Sequence, residues 1–374
     1  MNIPKLRFPE FSGEWDDKKI IQFCEISAGG DIDKNNSQKE FSSSYPYSVY
    51  SNSLENKGLY GYANYYKIDS DVVTVTGRGD VGHAVARHEK FVPIVRLLVC
   101  KPKNSENVTF LENAINKTKI FIESTGVPQL TAPQLGNVKL FLPSLAEQQK
   151  IADFLANVDS IITAETKILK TLQKKKKALM QKLFTQQLRF KSADGTDFPA
   201  WEERKLGECV EILDSQRKPI ESKERANRKG EYPYYGASGI IDYIDDYLFE
   251  GESILLGEDG ANIINRNSRL AFIATGKYWV NNHAHIMKAN ADNLNYFICE
   301  YLESLDYSKI CAGSAQPKLT QDVIRNLTIK APCKAEQQKI ADCLSSIDSL
   351  IQTQQKVVTT WQQRKKALLQ QMFI

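Results

Sequence analysis

Two stretches of the chain place apolar residues alternately four and three positions apart over about forty residues, the pattern of a helix with one buried stripe. In the first, Ile151, Leu155, Val158, Ile162, Leu169, Leu172, Leu179 and Leu183 form the stripe, with Glu165 and Lys176 as polar interruptions. In the second the stripe is Ile340, Leu344, Ile347, Ile351, Val358, Trp361, Leu368 and Met372, interrupted at Gln354 and Lys365. At 1.5 Å per residue each helix reaches about 60 Å. Such a helix does not stand alone, so each must bury its seam. Either the two helices pack on each other, antiparallel if related by a pseudo-two-fold axis, or each packs on its own domain. One antiparallel register sets Glu165 opposite Lys365 and Lys176 opposite Gln354. The polar face carrying Lys174 to Lys177 reads as solvated charge.

The two stripes are copies of one another. AEQQKIADFLANVDSII from Ala146 recurs as AEQQKIADCLSSIDSLI from Ala335, 189 residues later, and KKALMQKLF recurs as KKALLQQMF in the same register. A looser echo precedes each copy, FPEFSGEWDDKKI from Phe8 and FPAWEERKLGE from Phe198. A period this long marks duplication of a domain and not a solenoid. Four segments follow: a globular domain over 1–143, a long helix within 144–190, a second domain over 191–332, and a second long helix within 333–374.

Both globular segments carry short β-branched and aromatic runs broken by Gly, Asn and Asp, such as DVVTVTGRGDVGHAV, LAFIATGKYWV and NLTIKAP, which predict strands. TFLENAINKTKIFIES and LNYFICEYLESL predict a short helix in each copy. The expected class is α+β. Two mixed α/β domains are each followed by a long helix, the two helices pack as an antiparallel coiled coil, and the whole is an internal duplication.

Composition changes this picture little. With 42% hydrophobic and 25% charged residues among 374, the chain reads as an ordinary folded protein, and its net charge of +4 permits a nucleic-acid partner without requiring one. The seven cysteines, Cys24, Cys100, Cys209, Cys299, Cys311, Cys333 and Cys343, never form a C-x-x-C pair and read as reduced and inert. The opening MNIPKLRFPEFSGEW lacks the apolar stretch of a leader, and no segment approaches the roughly 18 apolar residues of a membrane span. A cytoplasmic location without membrane attachment is expected.

The chemistry-bearing motifs point away from catalysis. Gly77, Gly79 and Gly82 match G-x-G-x-x-G, but the following HAVARHEKFVPIVRLLV predicts a strand where a dinucleotide site needs a helix. The second copy's GEDG, Gly257 to Gly260, also follows an apolar run, so both read as turns between strands. There is no phosphate-binding G-x-x-x-x-G-K-[ST] loop and no Pro-Pro dipeptide of the kind that grips a flipped base in DNA amino-methyltransferases. His283 and His285 alternate as two ligands on a strand face do, but no third ligand at metal spacing accompanies them, and no metal site is expected. Tyrosines crowd the same segments among Asn, Ser, Arg and Lys, at Tyr45, Tyr47, Tyr50, Tyr60, Tyr62, Tyr65 and Tyr66, then at Tyr232, Tyr234, Tyr235, Tyr243 and Tyr247. Such loops suit phosphate and base-edge contact, and such tyrosines also fill cores.

LRFPEFSGEW, the paired P-x-x-AEQQKIAD starts at Pro143 and Pro332, the two KKAL helix ends, YPYYGASGIIDYIDDYLFEG, LLGEDGANI, WVNNHAHIM and AGSAQPKLT together resemble the specificity subunits of type I restriction-modification systems. The resemblance spans nearly the whole chain; the first domain departs from it, with TGRGDVGHAVARHEK where the second has LLGEDGANI. It implies a non-catalytic subunit with two target-recognition domains, each reading one half of a split, asymmetric site in double-stranded DNA. Two methyltransferase subunits would bring S-adenosylmethionine chemistry at adenine N6. Two restriction subunits would add ATP- and Mg-dependent translocation and cleavage, making the whole complex a site-specific deoxyribonuclease; this chain itself needs no cofactor. Residue type and loop position nominate Tyr50, Lys57 and Arg78 in the first domain, and Tyr235, Ser238, Asn262, His283 and Lys318 in the second, as DNA contacts. A stand-alone sequence-specific DNA-binding regulator is the alternative reading.

Overall fold

The computed structural model describes residues 2–118, 120, 129–311 and 317–374. The end of the TFLENAINKTKIFIES segment and the start of AGSAQPKLT therefore lie outside the described residues. The chain divides into two compact units, Met1–Thr166 with Lys356–Ile374, and Lys167–Gln355. Among the described residues no helix is long and apolar enough to cross a membrane.

In the first unit, Cys24–Ala28, Leu98–Pro102, Val72–Val75 and Ala84–Arg87 form an antiparallel sheet in that order. A second sheet runs Ser37–Gln38, Leu59–Ala63, Tyr47–Tyr50, Phe91–Pro93, its last pairing parallel. Every residue of Val72–Val75 is buried, because alternate side chains enter two different cores. Val73 and Val75 meet the helix Val108–Lys117 through Phe110, Leu111 and Ala114, whereas Val72 joins Tyr50, Phe91 and Leu97 between the sheets. That double burial gives the strand a continuous apolar run in place of an alternating one.

The second unit repeats this plan. Val210–Ile212, Ala284–Ala289, Ser253–Gly257 and Ala271–Ala274 form its first sheet, and Gly239–Ile244, Lys229–Gly236, Lys277–Val280 and Phe249–Glu250 its second, again with one parallel pairing. Ile254 and Leu256 face the helix Asn295–Ser304, and Leu255 faces the other way. The duplication legible in sequence only along the long helices and their preceding echo thus extends through both sheets.

The long helices are Leu145–Phe184 and Lys334–Met372. Their shared AEQQKIAD start is explained residue by residue. Glu147 is buried and takes a bidentate pair from Arg7, Nε and Nη2 each at 2.8 Å; Glu336 takes the same pair from Arg189 at 3.1 and 2.7 Å. Gln148 donates to the Pro143 carbonyl and accepts from the Asn107 amide at the start of the short helix; Gln337 donates to the Pro332 carbonyl and accepts from the Leu294 amide. Gln149 and Gln338 each donate to an aspartate one turn on, Asp153 and Asp342, both at 2.8 Å. The motif therefore fastens each long helix to the domain before it.

The seams satisfy both packing arrangements considered above. In the first unit, Ile151 and Leu155 share a core with Trp15 and Phe110 of the domain and with Met372 and Phe373 from the end of the second helix. Phe373 stacks on Phe110 at 5.1 Å between ring centroids. In the second unit, Met180 and Leu183 join Ile340, Leu344, Leu206 and Phe297. Helix start against helix end is the antiparallel arrangement. The remaining seam residues Val158, Leu169 and Val358 are buried, and Ile162, Leu172, Leu179, Ile347, Ile351, Trp361 and Leu368 are half-buried.

The ion pairs differ from the register expected from charge matching. Lys365 takes Asp159 at 2.6 Å, six residues before Glu165, and Lys176 takes Asp348 at 2.7 Å, six before Gln354. The reason is physical. A seam fixes which faces meet, whereas the axial slide is set by the packed ends, where Phe373 seats against Trp15 and Phe110.

Candidate nucleic-acid interface

The glycine-rich segment of the first unit is a hairpin tip. Val72–Val75 and Ala84–Arg87 pair antiparallel across it, Thr76 donates to the His83 carbonyl at 2.9 Å, and Gly82 donates back to Thr76 at 2.8 Å. Gly79 and Gly82 hold φ of +69° and +88°, which an L side chain adopts only at a cost. No helix follows, so the geometry is not that of a dinucleotide loop.

Next to this tip the chain builds a short exposed crossing. Leu130 donates to the Gly77 carbonyl at 2.9 Å, and Arg78 bridges antiparallel to Gln129. Asn52 anchors the crossing, accepting from the Gly77 amide at 2.7 Å and donating to the Val95 carbonyl at 2.6 Å. Arg78 is exposed there. Lys57 is exposed too, on a loop where it holds φ of +54° and its carbonyl accepts from the Arg87 guanidinium. Tyr50 sits differently from a surface contact. It is 9% exposed, its hydroxyl donates to Glu89 at 2.7 Å, and Arg87 lies 3.6 Å over its ring. Burial, with the Glu89 hydrogen bond, pushes its phenol above the ordinary range. Tyr50 is a strut for the Lys57 loop.

The second unit makes the same crossing with different residues. Leu319 donates to the Glu258 carbonyl at 2.8 Å, and Asp259 bridges antiparallel to Lys318, so Asp259 stands where Arg78 does and Lys318 where Gln129 does. Around it the side chains are charged and interlocked. His283 Nδ1 lies 2.8 Å from Asp259, Lys318 Nζ 3.2 Å from Glu258, and Arg217 Nη1 2.9 Å from Glu258. Below them His285 is buried, one ring nitrogen 2.5 Å from Asp214 and the other 2.8 Å from the Leu319 carbonyl. Burial alone would raise Asp214; the His285 contact, the Ile286 amide and Arg217 outweigh it and hold the carboxyl below the usual aspartate range. Among the described residues no group of three His, Cys, Asp or Glu side chains could hold a metal ion.

Of the nominated residues in this unit, His283 and Lys318 come together at the crossing and are exposed. Ser238 is exposed on the turn beside it, where a Cβ on Gly257 would lie 2.6 Å from the Ala237 carbonyl, so only glycine admits that approach. Tyr235 is half-buried, its ring 5.8 Å from those of Phe272 and Tyr278. Asn262 spends its amide on its own loop, donating to the Ser268 carbonyl and accepting from the Ser268 amide. Sequence reasoning missed Arg217, Glu258 and Asp259; the signal available for them was the charge of R-K-P and of G-E-D-G beside predicted strands.

Comparison with known proteins gives one answer throughout. The family of type I restriction modification DNA specificity domains matches twice, over residues 12–174 and 200–360. The MjaVIII type I restriction enzyme specificity subunit of Methanocaldococcus jannaschii is 27% identical over 275 residues, 66% of this chain and 64% of that protein. A protein of Haemophilus influenzae assigned as a type I restriction enzyme specificity subunit is 34% identical over 145 residues, 39% of this chain and 37% of the relative. The matches thus span less than two thirds of these relatives' length. In fold, the crystal structure of a type I restriction-modification S subunit from M. genitalium superposes with a TM-score of 0.67 at 16% identity, covering 100% of this chain and 99% of that one. Two matched domains that fill most of the chain, on a duplicated fold shared with an S subunit, make it a member of the type I restriction-modification DNA specificity family, the non-catalytic specificity subunits of those systems.

Proposed function

We propose that this chain reads a bipartite, asymmetric site in double-stranded DNA, one half per recognition domain, and directs partner adenine-N6 methyltransferase subunits to it. The observation that carries this reading is the crossing made twice with unlike residues, Arg78 with Gln129 in one unit and Asp259 with Lys318 in the other. One backbone frame presenting different donors and acceptors is what two unlike half-sites require. Lys57 and Arg78 are the contacts proposed for the first half, and Ser238, His283 and Lys318 for the second, with Tyr235 behind them. Tyr50 and Asn262 hold the loops.

Two methyltransferase subunits supply S-adenosylmethionine chemistry in this reading. Two restriction subunits supply ATP- and Mg-dependent translocation and cleavage. The complex works in the cytoplasm, and inserting residues in the helix after Leu145 alters the spacing between half-sites. Each good base contact contributes about 1 to 3 kcal/mol of discrimination. The test is the joint change His283→Ala with Lys318→Ala, read as relative affinity for variants of each half-site. Relaxed preference confined to one half supports the assignment; unchanged preference in both refutes it.

A further inference from the structure

The end of the first long helix carries a charge pattern that neither the seam nor the fastening motif uses. From Thr166 to Phe184 there are seven lysines and no Asp or Glu. Lys176 is buried in the ion-pair network of the second unit. The other six are exposed, and among the described residues none of them forms an ion pair. Lys167, Lys170, Lys174 and Lys177 follow one another at three, four and three residues, so they line one helical stripe about 15 Å long.

Three structural roles fail to account for the stripe. Neighbouring like charges at these spacings repel and weaken a helix. The favourable field at a helix C-terminus reaches only the last turn, and Lys177 lies seven residues before Phe184. Copying accounts for only half of it: the duplicated helix keeps lysine at the places of Lys167 and Lys177, as Lys356 and Lys366, whereas those of Lys170 and Lys174 are taken by Thr359 and Gln363. A cationic stripe that is denser in this copy, without acidic neighbours on its own stretch, fits an anionic partner. Lysine binds phosphate as a flexible point charge without the fixed geometry of the arginine fork, which suits phosphates contacted without regard to sequence.

We propose that Lys167, Lys170, Lys174 and Lys177 contact backbone phosphates of the bound duplex, adding affinity without sequence preference. This rests on the DNA-reading function above. The stripe holds the DNA against the second unit while the loops read bases.

The test uses the full chain assembled with its methyltransferase subunits and two duplex oligonucleotides, one carrying the mapped split site and one scrambled. Affinity is measured across a range of salt for wild type, for the fourfold Lys→Gln variant and for the fourfold Lys→Arg variant. The Gln variant is expected to lose about 2 to 4 from the slope of log affinity against log salt and to weaken both duplexes equally, while the Arg variant keeps the wild-type slope. An unchanged slope in the Gln variant overturns the proposal. So does loss of methyltransferase assembly in the Gln variant alone, which gives the stripe to a protein partner. A wild-type complex that does not distinguish the two duplexes overturns the DNA-reading function itself, a separate result.

Discussion

Lys176 Nζ lies 2.7 Å from Glu300 Oε2, joining the first long helix to the short helix of the second recognition domain, with Asp348 of the second long helix also at 2.7 Å. Lys365, the equivalent residue in the other copy, pairs among the described residues only with an aspartate, Asp159. The side chains of Lys176 and Glu300 are 8% and 2% exposed, those of Lys365 and Asp159 26% and 50%. Removing Lys176 takes a charged hydrogen-bond donor from two buried or half-buried carboxylates, leaving Glu300 with Arg269 and Asp348 with the Tyr296 hydroxyl, whereas an exposed pair rehydrates. Lys176→Ala is therefore expected to cost about 1.5 to 3 kcal/mol and Lys365→Ala less than about 1 kcal/mol, measured by denaturant unfolding. Equal costs would refute this account of the two interruptions.

Acid exposes the network beneath the second crossing. Asp214 is held below the usual aspartate range, so its stabilisation is fully present above about pH 4 and is lost as pH falls through the depressed folded value. Wild-type stability, followed by denaturant midpoints from near neutral to acidic pH, is expected to fall more steeply than that of Asp214→Asn, which starts lower. Parallel pH profiles would remove Asp214 from the account.

Gly82 tests the hairpin reading of the glycine-rich segment. At φ of +88°, with a Cβ placed 3.3 Å from Ile120 Cδ1, Gly82→Ala is strained and is expected to cost about 1 to 2 kcal/mol. Gly13, with φ of +83° and open space around it, is the control for backbone strain alone. Thermal unfolding distinguishes them: Gly82→Ala lowers the midpoint more than Gly13→Ala.

The long helices, their seams and the duplication were legible because they are local. A heptad stripe and an identical eight-residue start require no knowledge of distant partners. The crossings were not legible, since Arg78 meets Gln129 and Asp259 meets Lys318 through sheet topology and not through spacing. Tyr50 looks like a surface contact because it lies among Tyr, Ser and Asn, but it is buried by sequence-distant partners, Arg87 over its ring and Val72, Phe91, Leu97 and Val99 packed with it. The helix register escaped for a related reason. Charge matching along the seam ignored the aromatic seat of Phe373, which sets the slide.

The central claim is tested most directly by co-expressing the chain with its methyltransferase subunits and mapping methylated adenines on random-sequence DNA, before and after replacing residues 191–332 with the matching domain of a relative. A split motif with a methylated adenine in each half, of which only one half changes on replacement, is the predicted result. Sequence-specific binding without partner-dependent methylation, or a replacement that alters both halves together, would contradict it.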